Sequence, residues 1–288
     1  MILVTGANGQ VGSEIKYLSS AYPFEFIFAG SKELDISDND SVIAFFGKHE
    51  ISQVINCAAY TAVDKAEEEQ EKAASVNVQG AMHLAQACTL RNIPMVHIST
   101  DYVYHNSQNT PFLEEDTTNP QGVYASTKLD GEAIIKKIHP RTMIIRTSWV
   151  YSTFGNNFVK TMLRLGKERD ELNIIFDQIG SPTYARDLAK GILDILHMLA
   201  QGDVSDTKFN ATYHYSNEGV CSWYDFSKAI FEMNDITCKV NPILTSQYPT
   251  PAKRPHFSLL NKAKIKEAFG LEIPYWRDSL KGMLEVLD

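Results

Sequence analysis

The sequence predicts an α/β protein: a doubly wound parallel sheet with helices on both faces, interleaved with a second, smaller lobe. Three observations carry that expectation. The chain opens on an apolar strand, a glycine-rich turn and a helix, "ILVTGANGQVGSEI". As far as about residue 150, short apolar runs alternate with amphipathic stretches. Beyond that point the alternation loosens, and most of the prolines and scattered aromatics follow. Wholly apolar strands separated by helices indicate parallel strands buried on both faces. Right-handed crossovers then wind the sheet outward from a central first strand.

Taken in order, residues 2–6 form a strand ending in glycine, 12–21 a helix, and 24–30 the second strand. Residues 37–50 open with Ser and Asp caps before apolar residues at helical spacing. Residues 52–59 are the third strand, 71–92 a long helix, and 94–100 the fourth strand. The run "YASTK" starts a helix that continues through 130–138, and 142–151 is the fifth strand. Residues 172–178 and 184–200 read as a further strand and helix of the same sheet. This is a Rossmann-type domain over 1–150, with 172–200 returning to it. Residues 151–171 and 201–288 make mainly a substrate-binding lobe. The polar loop 105–122 is read as a mobile flap.

Bulk composition narrows the function. Of 288 residues, 44% are apolar and 22% charged, so a large core is available. With 27 basic and 35 acidic residues the formal charge is −8, and no Lys/Arg-rich run appears, which argues against nucleic-acid binding. The cysteines Cys57, Cys88, Cys221 and Cys238 are far apart without a CxxC, so neither a disulfide framework nor a zinc site is suggested. The eight histidines show no metal-ligand spacing and read as structural. The start of the chain has no signal-peptide pattern, and no apolar run approaches the roughly 20 residues of a membrane helix. A cytoplasmic protein is expected.

"TGANGQVG" places Gly6, Gly9 and Gly12 between strand and helix. Glycines there permit a tight turn, close approach of a pyrophosphate, and close helix–strand packing. The helix N-terminus adds free N–H donors and a partial positive charge. Asn8, Gln10 and Val11 complete this dinucleotide cradle. The second strand usually ends in an acid that binds the ribose 2′-hydroxyl, but here it ends at Gly30, Ser31 and Lys32. Ser31 and Lys32 suit a 2′-phosphate, which favours NADPH, with NADH still admissible. Asp35 and Ile36 are placed for the adenine. Small Ala58 and Ala59, then Tyr60, follow the third strand where the cofactor passes close to the backbone.

Tyr124 and Lys128 stand four apart on one helical face. Ketone reduction needs a hydride and a proton for the developing alkoxide. A phenol can supply the proton, but a free tyrosine has a pKa near ~10, so a neighbouring ammonium is expected to lower it. The same ammonium can hold the nicotinamide ribose. A third donor for the carbonyl oxygen should end a neighbouring strand, and Thr100 in "HISTDYVY" is that hydroxyl. Thr100, Tyr124 and Lys128 form one candidate catalytic set.

With these residues in view, the chain resembles the extended short-chain dehydrogenase/reductase family over nearly its whole length. The match is carried by "ILVTGANGQVGSE", "VINCAAYTAVDKAEEE", "ISTDYVY", "VYASTKLDGE", "IIRTSWVY", "GNNFVKTML", "DQIGSPTYARDLA" and "YPTPAKRPHFSLLN". "AAYTAVDKAE" and "RTSWVY…GNNF" point, by resemblance, to its reductases of nucleotide-linked 4-keto-6-deoxysugars. The implied substrate is dTDP-4-dehydro-β-L-rhamnose, reduced at C4. The resemblance places Val63 and Asp64 on a loop facing the sugar, with Thr100, Asp101 and Tyr102 beside it. Trp149 would offer a flat wall, Asn156 and Asn157 a loop over the substrate, and Arg254 a clamp for the diphosphate.

Dehydratase relatives resemble "STDE", whereas Asp101 is followed here by Tyr102, which disfavours elimination. Some family members bridge subunits through magnesium held by glutamates. Glu14 matches one such position, but Arg186 stands at another and the chain ends at Asp288 without a terminal glutamate. That pattern counts against a magnesium-bridged dimer and leaves a homodimer open. Two other readings share the motifs: a non-catalytic regulatory subunit of the methionine adenosyltransferase type, and a reductase or epimerase of another nucleotide sugar.

Overall fold

Six parallel strands form the central sheet of the computed structural model, which describes residues 1–287. Across the sheet they run Thr212–His214, Thr142–Thr147, Met95–Thr100, Gln53–Asn56, Ile2–Thr5 and Phe26–Ala29. The chain order reverses between Ile2–Thr5 and Gln53–Asn56, and ligands of such sheets bind outside the strand ends at that crevice. Register aligns Thr5 with Asn56 and Asn56 with His97, a polar row near the strand ends.

Both faces are covered, as the apolar strands require. On one side the helices Gln10–Leu18, Ala185–Gln201 and Ala263–Phe269 bury Val4, Ile55, Val96 and Ile145. On the other, Asn39–Lys48, Ala81–Arg91 and Ile135 cover Leu3, Val54 and Met95. Each such aliphatic side chain taken fully out of water contributes roughly 1.5–3 kcal/mol. The expected long helix 71–92 begins as Gln70–Ala74, widens into a π-helical segment over Ser75–Gly80, and resumes as Ala81–Arg91. The wide turn carries buried Asn77, whose amide accepts from Tyr60 N–H (2.8 Å) and donates to Tyr60 C=O (3.2 Å). The loop after the third strand is pinned from the helix.

Two sequence-based expectations are corrected. The strand at 172–178 does not join the large sheet. Glu171–Ile175 pairs in parallel with Lys239–Ile243, inside a separate core formed by Phe158–Glu168, Trp223–Glu232 and Trp276–Glu285. The sixth strand of the large sheet comes from Thr212–His214 instead, while Ala185–Gln201 does pack on that sheet. Residues 105–122 are no free flap. Phe112 is completely buried, stacks on Tyr104 and bonds through its backbone to Leu259 and Asn261. The polar surroundings of Phe112 hide this anchor in the sequence. Asp288 lies outside the described residues.

Beneath the strand ends, Arg146 meets Glu132 at 2.6 Å, both nearly inaccessible to solvent. Glu132 also accepts from Ser99 Oγ, and Arg146 lies over the Tyr104 ring. Glu132 sits one turn beyond Lys128, so this pair ties the Tyr124 helix (Val123–Ile138) to the fourth and fifth strands.

Candidate active site

The glycine turn is built to admit a ligand close to backbone. Gly6 has φ +62°, and a Cβ there would lie 2.6 Å from the backbone N of Ala58. At Gly12 a Cβ would lie 2.6 Å from the carbonyl oxygen of Gly6. A cleft of about 810 Å³ opens over this turn and the ends of the first, third and fourth strands. Its walls include Gly6, Asn8, Gly9, Gln10, Val11, Gly12, Ser31, Asp35, Ile36, Ala58, Ala59 and Tyr60, the residues assigned to a dinucleotide from the sequence. The helix that begins at Gln10 points its N-terminus into the cleft, so a diphosphate fits this cradle. Lys32, by contrast, is exposed and is not a wall residue. Ser31 is the group of that pair that reaches the cleft.

Thr100, Tyr124 and Lys128 enter the same cleft from the fourth strand and the Tyr124 helix. Thr100 Oγ1 accepts from Tyr102 N–H (3.2 Å) and donates to Asp101 Oδ1 (3.1 Å). The Tyr124 phenol lies near enough to feel this hydroxyl. The rings of Tyr102 and Tyr124 meet edge to face, 5.5 Å apart. Burial pushes the phenol of Tyr124 up to about 12, opposed by the Thr100 hydroxyl and reinforced by the Asp101 carboxylate.

This corrects the expected lowering of the phenol by Lys128. Lys128 is itself buried, and burial brings its ammonium down to about 8. Its Nζ bonds to the carbonyl oxygen of Ile98 at 2.7 Å and lies 3.4 Å from His97 Nε2. Desolvation is the dominant influence on both groups. Asp101 is 1% exposed, and burial raises its carboxyl to about 6.

The substrate residues divide. Val63, Asp101, Tyr102, Trp149, Asn156 and Asn157 line the cleft. Trp149 adopts φ +48° and stacks on Trp223, with ring centroids 3.7 Å apart. Asn157 caps the helix Phe158–Glu168 through Lys160 N–H and donates to Gln10 Oε1 at 3.0 Å, joining the glycine turn to the smaller lobe. Asp64 and Arg254 are not wall residues. They pair with each other, Nη2–Oδ2 2.7 Å and Nη1–Oδ1 3.1 Å, close to Tyr102. The expected sugar-facing carboxylate and diphosphate clamp thus neutralise one another here, because a bidentate guanidinium is the best available partner for a half-exposed carboxylate.

Sequence reading passed over several groups the fold brings in. Cys57, Thr61, Val76, Ser99, Thr147 and Gly155 also line the cleft. His97 and Asn56 lie directly behind Lys128. An apolar strand with a histidine three residues before Thr100 was the available signal, but only register reveals its neighbours. The glutamate position tied to magnesium is engaged otherwise. Glu14 is wholly buried, accepts from Arg186 Nε at 2.8 Å and from Ser152 Oγ at 2.7 Å, and so does not fit a cation.

Residues 1–288 match the family described as the RmlD substrate binding domain. A dTDP-4-dehydrorhamnose reductase of Aggregatibacter actinomycetemcomitans is 40% identical, the alignment covering 98% of this chain and 97% of that protein. A crystal structure of a dTDP-4-dehydrorhamnose reductase from Clostridium acetobutylicum superposes with TM-score 0.93 at 41% identity, covering 99% of each chain. A dTDP-4-dehydrorhamnose reductase from Bacillus anthracis, solved in complex with NADP, also reaches TM-score 0.93, at 36% identity over 99% of this chain and 98% of that one.

Proposed function

The chain belongs to the RmlD substrate binding domain family, and from that membership we propose that it is a dTDP-4-dehydrorhamnose reductase. It reduces the C4 ketone of dTDP-4-dehydro-β-L-rhamnose with NADPH, in dTDP-rhamnose biosynthesis. The observation that carries this reading is the meeting of Thr100, Tyr124 and Lys128 in one cleft with the glycine turn. When bound, the reduced nicotinamide supplies the hydride.

The chain's own residues supply the rest. Thr100 donates to the carbonyl oxygen and stabilises charge as it develops there. Tyr124 delivers the proton to that oxygen. A phenol pushed up by burial stays loaded with its proton throughout the neutral range. Lys128, one turn along the helix, offers its charge to the phenolate left behind and to the cofactor ribose. Tyr102 holds the Tyr124 ring edge-on, and Trp149, braced by Trp223, walls the sugar and excludes water. Arg254 exchanges Asp64 for the substrate diphosphate, which carries more charge.

Tyr102 stands where an eliminating enzyme would need an acid, so ketone reduction is the chemistry these side chains suit. No helix among the described residues is long and apolar enough to cross a membrane. Free thiols at Cys57, Cys88, Cys221 and Cys238 support a reducing, cytoplasmic setting. The test is loss of NADPH absorbance on adding dTDP-4-dehydrorhamnose. Tight NADPH binding without turnover of this sugar would overturn the assignment.

A further inference from the structure

Behind Lys128 runs a fully buried chain of three side chains, Thr5, Asn56 and His97, that the reaction, as described, does not use. Thr5 Oγ1 donates to Asn56 Oδ1 (2.6 Å), which also accepts from Ala58 N–H (3.1 Å). Asn56 Nδ2 lies 3.0 Å from His97 Nδ1, and His97 Nε2 lies 3.4 Å from Lys128 Nζ. All four side chains are at most 2% exposed.

Hydrogen counting fixes the direction of this chain. The backbone N–H of Ala58 can only donate, so the oxygen of Asn56 must face it and the amide NH₂ must face the imidazole. His97 Nδ1 therefore accepts. Burial and the nearby lysine hold His97 far below its ordinary range, so the ring is neutral and its single proton sits on Nε2. That N–H points at Lys128. An ammonium has only donors and would face another donor; a neutral amine has a lone pair to accept it, and one N–H for the carbonyl oxygen of Ile98.

We propose that Asn56 and His97 are positioning residues that weaken the hold of Lys128 on its proton: by fixing the Nε2–H tautomer they present Nζ with a donor instead of an acceptor. The other ionisable groups around Lys128 are few. Glu132, on the same helix, pulls towards the ammonium, but its carboxylate is held by Arg146. The Cys57 thiol is pushed up to about 12 by burial, and the Tyr124 phenol keeps its proton. The proposal rests on the reductase reading for the role of Lys128, although its test needs no sugar turnover.

The experiment is NMR on the full chain without ligand. In wild-type protein labelled with ¹⁵N-histidine, His97 should carry its proton on Nε2; a proton on Nδ1 overturns the proposal. With ¹³Cε-lysine labelling and Lys128→Met for assignment, Lys128 should titrate near pH 8, below the ordinary lysine value. Asn56→Asp still accepts from Thr5 and Ala58 but takes the Nδ1 proton, leaving a lone pair towards Lys128. Its midpoint should rise by about one unit more than in the Asn56→Asp/His97→Met double variant, which keeps only the added charge. Equal shifts in both backgrounds overturn the proposal.

Discussion

Arg254 closes on Asp64 in a two-point ion pair, 2.7 and 3.1 Å, at the edge of the cleft beside Tyr102. Asp64 lies in the first turn of the short helix Val63–Ala66 after the third strand, and Arg254 comes from the proline-bounded segment near the end of the chain. The pair latches two segments that lie far apart in the chain. Replacing Arg254 by Ala removes the latch and a candidate partner for the diphosphate. Charged hydrogen bonds of this kind contribute roughly 1.5–3 kcal/mol. KM for the nucleotide sugar should rise about 10- to 100-fold, with the NADPH Kd unchanged. Steady-state kinetics with each substrate varied in turn would show it; equal loss for both substrates would refute the assignment.

Tyr124→Phe removes the proposed proton donor while keeping the ring against Tyr102. Loss of general acid catalysis typically costs about 10²- to 10⁴-fold. We expect kcat to fall within that range while NADPH titrates the variant normally by fluorescence. Wild-type turnover in Tyr124→Phe would show that another group supplies the proton.

Cofactor affinity should depend on pH through Lys128. Its folded value lies near 8, so the lysine is cationic below that point and neutral above it. An anionic cofactor binds better to the cation. The NADPH Kd should therefore rise by up to about tenfold per pH unit above 8, the slope of one proton taken up on binding. Isothermal titration across pH 7–10 would reveal this limb, and Lys128→Met should abolish it.

The 2′-phosphate preference should respond to Ser31, which reaches the cleft, more than to Lys32, which does not. Ser31→Asp places a carboxylate against a phosphate. The ratio of NADPH to NADH affinity should drop about tenfold or more, and Lys32→Asp should shift it less. The two ratios, measured side by side, decide the placement of the ribose pocket.

Asp101 should destabilise the fold at neutral pH. Its carboxyl is raised from 3.8 to about 6 by burial. A raised acid contributes stability below its unfolded value, and that contribution is lost as pH climbs through its folded value. The window is therefore about pH 4–6, and the loss above it is roughly 3 kcal/mol. Asp101→Asn should raise the midpoint of urea unfolding at pH 7.5 and flatten its dependence across that window. A lower midpoint at pH 7.5 would mean that the carboxylate is satisfied in the native state.

What could be read from the sequence was whatever repeats locally. The first five strands of the sheet are short apolar runs, and the spacing of Tyr124 and Lys128 places both on one helical face. Features fixed by distant partners were not legible. Glu171–Ile175 looks like a sheet strand, yet its partner Lys239–Ile243 contains Pro242 and lies far along the chain. Phe112 is one aromatic in a polar loop, and its pocket is made by Leu259–Asn261. His97 reads as core because its run is apolar; only the register with Asn56 turns it towards Lys128.

The meeting of Arg186 and Glu14 has a practical corollary. Glu14 fastens the first helix to Ser152, at the foot of the segment that carries Asn156 and Asn157 over the cleft. Its counter-charge arrives covalently with the polypeptide, as a guanidinium also stacked on Tyr17. That joint draws nothing from the divalent-ion pool, so chelators should leave it intact and ion scarcity should not loosen it.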